Sequence, residues 1–238
     1  MLKRVVLLGL SIVVCTGVTC RISVPDGDGN GDGTPPGFTQ APLDQTDATI
    51  TIRQSVGAST ASVAATITAS DGRNVFLDED QTVSVNDVGL SGPDSEGEYT
   101  ATVDAASEYV IGVVEPTRGV DETTVDAPAE FQITSPAEGG GASLSGFTLR
   151  WSGANNRLQV RIKLSQTLFG TTSTSNFGPF IDTGSHRFDN EDLEPTFKQG
   201  ADLAITVTKI NTVTRIDGFD SASVSTRVST TSTASPRP

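Results

Sequence analysis

From about residue 48 the chain alternates apolar and polar positions with a period of two. Between residues 61 and 70, Ala61, Val63, Ala65, Ile67 and Ala69 share one parity, while Ser62, Thr66, Thr68 and Ser70 hold the other. A strand turns successive side chains to opposite faces, so this pattern predicts a half-buried strand. Ile50 and Ile52 alternate in the same way with Thr49, Thr51 and Arg53, and the pattern returns at Val83 and Val85, at Tyr99, Ala101 and Val103, and at Tyr109, Ile111 and Val113. Asp71-Gly72, Asp78-Glu79-Asp80, Gly92-Pro93, Pro116 and Gly119 punctuate these runs as turns. Six or seven short strands with such spacing close most simply as an antiparallel sandwich over residues 48–127.

A second block is expected over residues 128–229. Phe131 and Ile133 lead to Pro136 and a Gly139-Gly140-Gly141 turn, after which Phe147, Leu149 and Trp151 fall on one face. Trp151, the single tryptophan, is expected as the core pivot. The clearest strand follows, with Leu158, Val160, Ile162 and Leu164 inward against Arg157, Gln159, Arg161 and Lys163 outward. Leu203, Ile205 and Val207 continue the pattern, and Ala222, Val224 and Val228 suggest a closing strand. Residues 190–197 predict a helical turn capped by Asp189 or Asn190 and stopped by Pro195. The Ser/Thr-rich stretch 230–238 reads as a disordered tail.

Composition agrees with strands rather than helices: 24 Gly, 12 Pro and only 5% aromatic residues within 35% hydrophobic content. A formal net charge of -13 repels polyphosphates, so nucleic acid is not an expected partner.

The leader carries Lys3 and Arg4 and then an apolar run from Val5 to Val14, too short to span a bilayer of about 30 Å. It reads as a signal peptide over residues 1–20. Gly17-Val18-Thr19-Cys20 resembles a bacterial lipobox in position, without its usual leucine and without Gly or Ala before the cysteine. That resemblance implies lipidation of Cys20, the alternative being plain cleavage of a secreted or periplasmic protein. A lipid there implies the membrane as a partner and, with Arg21 where an inner-membrane retention aspartate would stand, the outer membrane. Both cysteines lie in the leader, so no disulfide is expected in the folded part.

Residues 21–47 read as a flexible Gly/Asp/Pro linker, too poor in apolar groups to repay ordering. Asp26, Asp28, Asn30 and Asp32 also open like an EF-hand loop, making them candidate calcium ligands. The twelfth position is Gly37 where a bidentate Glu is needed, and the solvated-spacer reading is preferred.

Ile133-Thr134-Ser135-Pro136 followed by Phe147-Thr148-Leu149-Arg150-Trp151 resembles the opening strands of bacterial immunoglobulin-like or fibronectin-like domains. Gly97-Glu98-Tyr99-Thr100-Ala101 is similar to their strand with a tyrosine corner. The resemblance implies an all-β chain of two tandem antiparallel immunoglobulin-like β-sandwich domains, used on exported proteins as spacers, adhesins or binding surfaces.

Catalytic signals are sparse. His186 is the single histidine, no folded cysteine exists, and no Gly-x-Ser-x-Gly surrounds a serine. Acidic loops (Asp78-Glu79-Asp80; Asp94, Glu96 and Glu98; Asp189, Glu191, Asp192 and Glu194) could serve a glycosidase or calcium, or simply keep turns solvated. The candidate binding residues are Arg157, Arg161 and Lys163, with Arg150 on a neighbouring strand, as a basic stripe for an envelope protein, an anionic polysaccharide or the acidic face of another copy. The expectation is a non-enzymatic, envelope-anchored binding or structural module, the alternative a carbohydrate-active or hydrolytic protein using the acidic loops.

Overall fold

A computed structural model describes residues 34–194 and 196–237. In chain order the strands are β1 (Phe38–Thr39), β2 (Thr46–Ser55), β3 (Thr60–Ala69), β4 (Asn74–Val75), β5 (Thr82–Val85), β6 (Val88–Gly89), β7 (Glu98–Asp104), β8 (Glu108–Glu115) and β9 (Gly119–Asp126). There follow β10 (Ile133–Ser135), β11 (Gly140–Ser143), β12 (Gly146–Trp151), β13 (Gln159–Leu168), β14 (Thr171–Ile181), β15 (Ser185–Asp189), the short helix α1 (Asn190–Leu193), β16 (Leu203–Val213) and β17 (Ser221–Arg237). The fold is all-β, built of several open sheets packed as a sandwich.

One ten-stranded sheet runs β1-β4-β3-β2-β17-β16-β13-β14, with β7 beside β3 and β11 beside β17. A four-stranded sheet, β6-β5-β8-β9, and a three-stranded sheet, β10-β12-β15, complete the structure. One hydrophobic core gathers Ile50, Ile52, Val63, Ile67, Tyr109 and Ile111 with their neighbours, and the other gathers Leu149, Trp151, Ile162, Leu164, Phe188 and Val207 with theirs. The inward residues are those the alternation picked out: Leu158, Val160, Ile162 and Leu164 are all buried, as are Trp151 and Leu149.

Strand β17 serves both cores. Ala222 and Val224 enter the first, while Val228 and Ala234 enter the second. On one side it pairs antiparallel with β16 along its length; on the other it pairs parallel with β2, Asp47 to Ser55 facing Ser221 to Ser229, and then parallel with β11. The sheet is therefore mixed rather than wholly antiparallel, because β2 and β11 line up end to end along one edge of β17.

The stretch read as a disordered tail is strand. Residues 230–234 pair with β16, Ala234 to Arg237 pair with β11, and Ala234 is fully buried. Glu138 fixes this end: its carboxylate accepts from the Thr233 hydroxyl, from the Ser232 hydroxyl at 2.7 Å and from the Thr233 backbone N–H at 3.0 Å. These bonds hold the carboxyl below its ordinary range.

The turn between β16 and β17 reaches the first core, where Ile216 and Phe219 are buried. Gly218 sits between them at φ +99°, and a Cβ there would lie 2.7 Å from a Val113 methyl. Glycine is thus required twice, by backbone sterics and by close approach.

Helix α1 begins where expected, at Asp189, whose backbone N–H donates to the Asp192 carboxylate at 2.9 Å. The short-range tyrosine back-bond belongs to Tyr109, at the start of β8, whose hydroxyl accepts from Ala106 N–H at 3.2 Å and donates to Gln54. Tyr99, to which the sequence resemblance assigned it, donates across to the Val75 carbonyl and accepts from Leu77 N–H, and burial pushes its phenol up to about 12. Among the described residues no helix is long and apolar enough to cross a membrane.

Candidate functional site

The face of the ten-stranded sheet that points away from both cores is lined with hydroxyls. Thr206 pairs with Thr231, Thr208 with Ser229 and Thr212 with Ser225, side chain to side chain at 2.9, 2.9 and 3.3 Å. Onto this face the alternation delivers three arginines and a lysine, with Asp47 and Glu98 toward its β2 and β7 side. Arg53 on β2 stands in register with Arg227 on β17, while on β13 Arg161 faces Thr208 and Lys163 faces Thr206.

Arg227 is the centre of the group. Its guanidinium is half-buried, and the enclosed Nε has no hydrogen-bond partner among the described residues. Burial, then the charges of Arg53 and Arg161, push its pKa down. Arginine stays protonated regardless, so the cluster holds like charges together at a cost in repulsion. The ion pairs among the described residues use Arg73, Arg118, Arg187, Lys209 and Arg215, and none uses Arg53, Arg161 or Arg227. Beside Arg53 a shallow groove runs over Ser62, Ala64, Thr100 and Thr102, and Glu98 lines it as its one acidic residue.

Of the basic stripe expected from sequence, Arg161 and Lys163 are on this face. Arg157 is not: it lies in the turn before β13, its N–H bonded to the Asn155 side chain. Arg150 is on β12, in the three-stranded sheet across the core, because consecutive strands here belong to different sheets. Arg53 and Arg227 were missed. Each reads in isolation as an outward polar position, and only the parallel pairing of β2 with β17 joins them.

A second polar constellation is fully inside. Lys209 and Asp182 are each 1% exposed and pair at 3.0 Å. Asp182 also accepts from the Trp151 indole N–H at 2.7 Å, from Asn155 N–H at 3.1 Å and from Gly184 N–H at 3.2 Å. The Lys209 ammonium donates to the Ser152 and Gly153 carbonyls and lies 4.7 Å from the Phe131 ring centroid. Every formal charge is matched and most donors are satisfied, so this network positions the β12 and β15 ends rather than offering a reactive group. Its signal was in the sequence: Lys209 is the next inward position after Leu203, Ile205 and Val207.

The acidic loops hold turns. Asp94 accepts from Glu96 and Glu98 N–H at 2.8 and 2.9 Å, which lowers its pKa, and Asp78 accepts from the Gln40 amide. Asp189 pairs with Arg187. Among the described residues no group of three or more His, Cys, Asp or Glu is placed to hold a metal ion. Cys20 and the candidate calcium ligands Asp26, Asp28, Asn30 and Asp32 lie outside the described residues.

His186 on β15 sits among rings, stacked on Phe180 at 4.5 Å and edge-on to Phe188 at 4.7 Å. Burial lowers its pKa below the ordinary 6.5, against a smaller raising effect of Asp192. A base with a depressed folded pKa favours the neutral form, so its contribution to stability is full above about 6.5 and is lost as pH falls toward the folded pKa. A proton NMR titration is expected to place its midpoint below 6.5, and His186→Phe should flatten the corresponding fall in stability. A midpoint above 6.5 would contradict the enclosure.

No family model matches the chain, and no curated protein is significantly similar to it.

Proposed function

We propose that the chain is an exported envelope protein, lipidated at Cys20 and held on the outer membrane through a linker shorter than the 21–47 span read from composition, since Phe38–Thr39 is strand and Leu43 is buried in the first core, and that it binds an anionic polysaccharide without catalysing a reaction. The observation that carries the binding role is the Arg53, Arg161 and Arg227 cluster. A chain of net charge -13 gathers three arginines that enter no ion pair among the described residues on one broad, hydroxyl-lined face, with Glu98 the acidic residue of the adjoining groove. Such an arrangement loses stability unless an anion relieves it, and repeated carboxylates or sulfates along a polymer match an extended face better than a single small anion.

The strand order supports the immunoglobulin-like or fibronectin-like resemblance. In the first half β2-β3-β7 covers β6-β5-β8-β9, and in the second β10-β12-β15 covers β14-β13-β16-β17. With the short β1, β4 and β11 set aside, each is the same arrangement of first, second and fifth strands against the rest. On this reading the two tandem sandwiches expected over residues 48–127 and 128–229 share one sheet through β2 and β17, the first also taking in Ala222 and Val224 and the second reaching Ala234.

Two measurements test the proposal. Heparin and polygalacturonate, as sulfated and carboxylated probes, are expected to bind at low salt and to be released as salt rises. Arg53→Gln with Arg227→Gln should weaken binding by about tenfold or more while leaving thermal stability equal or higher, since repulsion is relieved. Binding insensitive to the two substitutions, or no binding to either polymer at low salt, overturns the polysaccharide reading. Intact-mass analysis of the mature chain is expected to show a diacylglycerol adduct on Cys20, and an unmodified cysteine would remove the anchor.

A further inference from the structure

Sheet edges invite pairing with another chain, and most edges here are blunted. β1 and β6 have two residues each and β10 has three. β7 carries Glu98 and Asp104, β9 carries Asp121, Glu122 and Asp126, and β15 carries Arg187 and Asp189. β14 differs from all of these. It ends the ten-stranded sheet, is 11 residues long, and none of its residues is charged; Pro179, at a register shift against β13, interrupts only its far end and leaves Thr171 to Phe177 as an open ladder.

Apolar side chains mark both of its ends. Phe169, in the turn that enters β14, is 98% exposed, and Phe180 and Ile181 close the strand at 36% and 63%. These are three of the five exposed large hydrophobics among the described residues. Exposed aromatic and aliphatic groups beside an uncharged, unpaired backbone ladder indicate an association surface rather than a solvated rim.

We infer that β14 pairs antiparallel with β14 of a second copy, continuing the ten-stranded sheet across a two-fold axis. The occupant follows from three observations. An antiparallel pair of identical strands brings the start of one beside the end of the other, so Phe169 of each copy meets the Phe180 and Ile181 end of its mate, and both contacts form at once. At net charge -13, two copies repel over most of their surfaces, and this uncharged edge is where they approach with least opposition. The fold already extends the same sheet edge to edge, where β2 joins β17. An unrelated peptide would satisfy the ladder, but it would not require hydrophobic groups at both ends of the strand.

Sedimentation velocity on the full chain in non-ionic detergent, over a range of micromolar concentrations, tests this. Wild type is expected to pass reversibly from monomer to dimer. Thr172→Lys with Thr174→Lys places charges on exposed positions of the edge and should raise the dimer Kd by about tenfold or more, with circular dichroism and thermal midpoint unchanged. Phe169→Ser, in a turn with nothing packed on it, should raise Kd by a smaller factor and serves where the lysine variant folds poorly. A wild type that stays monomeric to about 100 µM (about 5.5 kcal/mol) overturns the inference. So does a dimer whose Kd neither variant changes.

Discussion

Replacing Lys209 by methionine is expected to lower the unfolding free energy by about 3–5 kcal/mol, the usual cost of stripping one partner from a buried ion pair. The loss arises from Asp182, left at 1% exposure without its ammonium partner, and from the Ser152 and Gly153 carbonyls that lose their donor. Adding Asp182→Asn to that variant should recover at least about 1 kcal/mol, since an uncompensated charge is costlier than an imperfectly paired amide. Urea unfolding of the two variants and wild type gives all three values. A single substitution costing less than about 1 kcal/mol would mean that water reaches the pair.

Ending the chain after Ser229 should be nearly as damaging. It would remove the partners of Leu203 to Val207 on β16 and of Gly140 to Ser143 on β11, and leave the Glu138 carboxylate without Ser232 and Thr233. At about 1 kcal/mol for each lost hydrogen bond, a destabilisation of about 4 kcal/mol or more is expected, with new protease cleavage around β11 and β16. A truncated chain as stable as wild type would show that these residues are the dispensable tail their composition suggests.

That contrast marks what the sequence could and could not convey. Local alternation revealed the strands and their inward faces, because a period of two is written in neighbouring residues: Leu158 to Leu164 and Ala61 to Ile67 are buried as their parity requires. The end of β17 escaped notice because its inward positions include Thr230 and Ser232, small polar residues, the second of which is satisfied by distant Glu138. Pairing order is non-local. Nothing near Arg53 announces that Arg227, far along the chain, stands beside it, and nothing near Arg150 announces that its strand is in the other sheet. Half of the basic face was therefore visible, as Arg161 and Lys163, and its centre was not. The tyrosine assignment failed similarly, since Tyr99 and Tyr109 each begin a strand and only the Ala106 contact separates them.

The parallel pairing of β2 with β17 has a mechanical consequence. A pull on the N-terminal side draws β2 out past Thr46, while a pull on the C-terminal side draws β17 out past Arg237 in the opposite sense. Two parallel strands drawn apart along their length are loaded in shear, so the nine paired positions from Asp47 to Ser55 share the tension instead of peeling one by one. Tension between the two ends of the folded part thus falls on a ladder that must yield as a unit, a geometry that would bear the load of the proposed anchor.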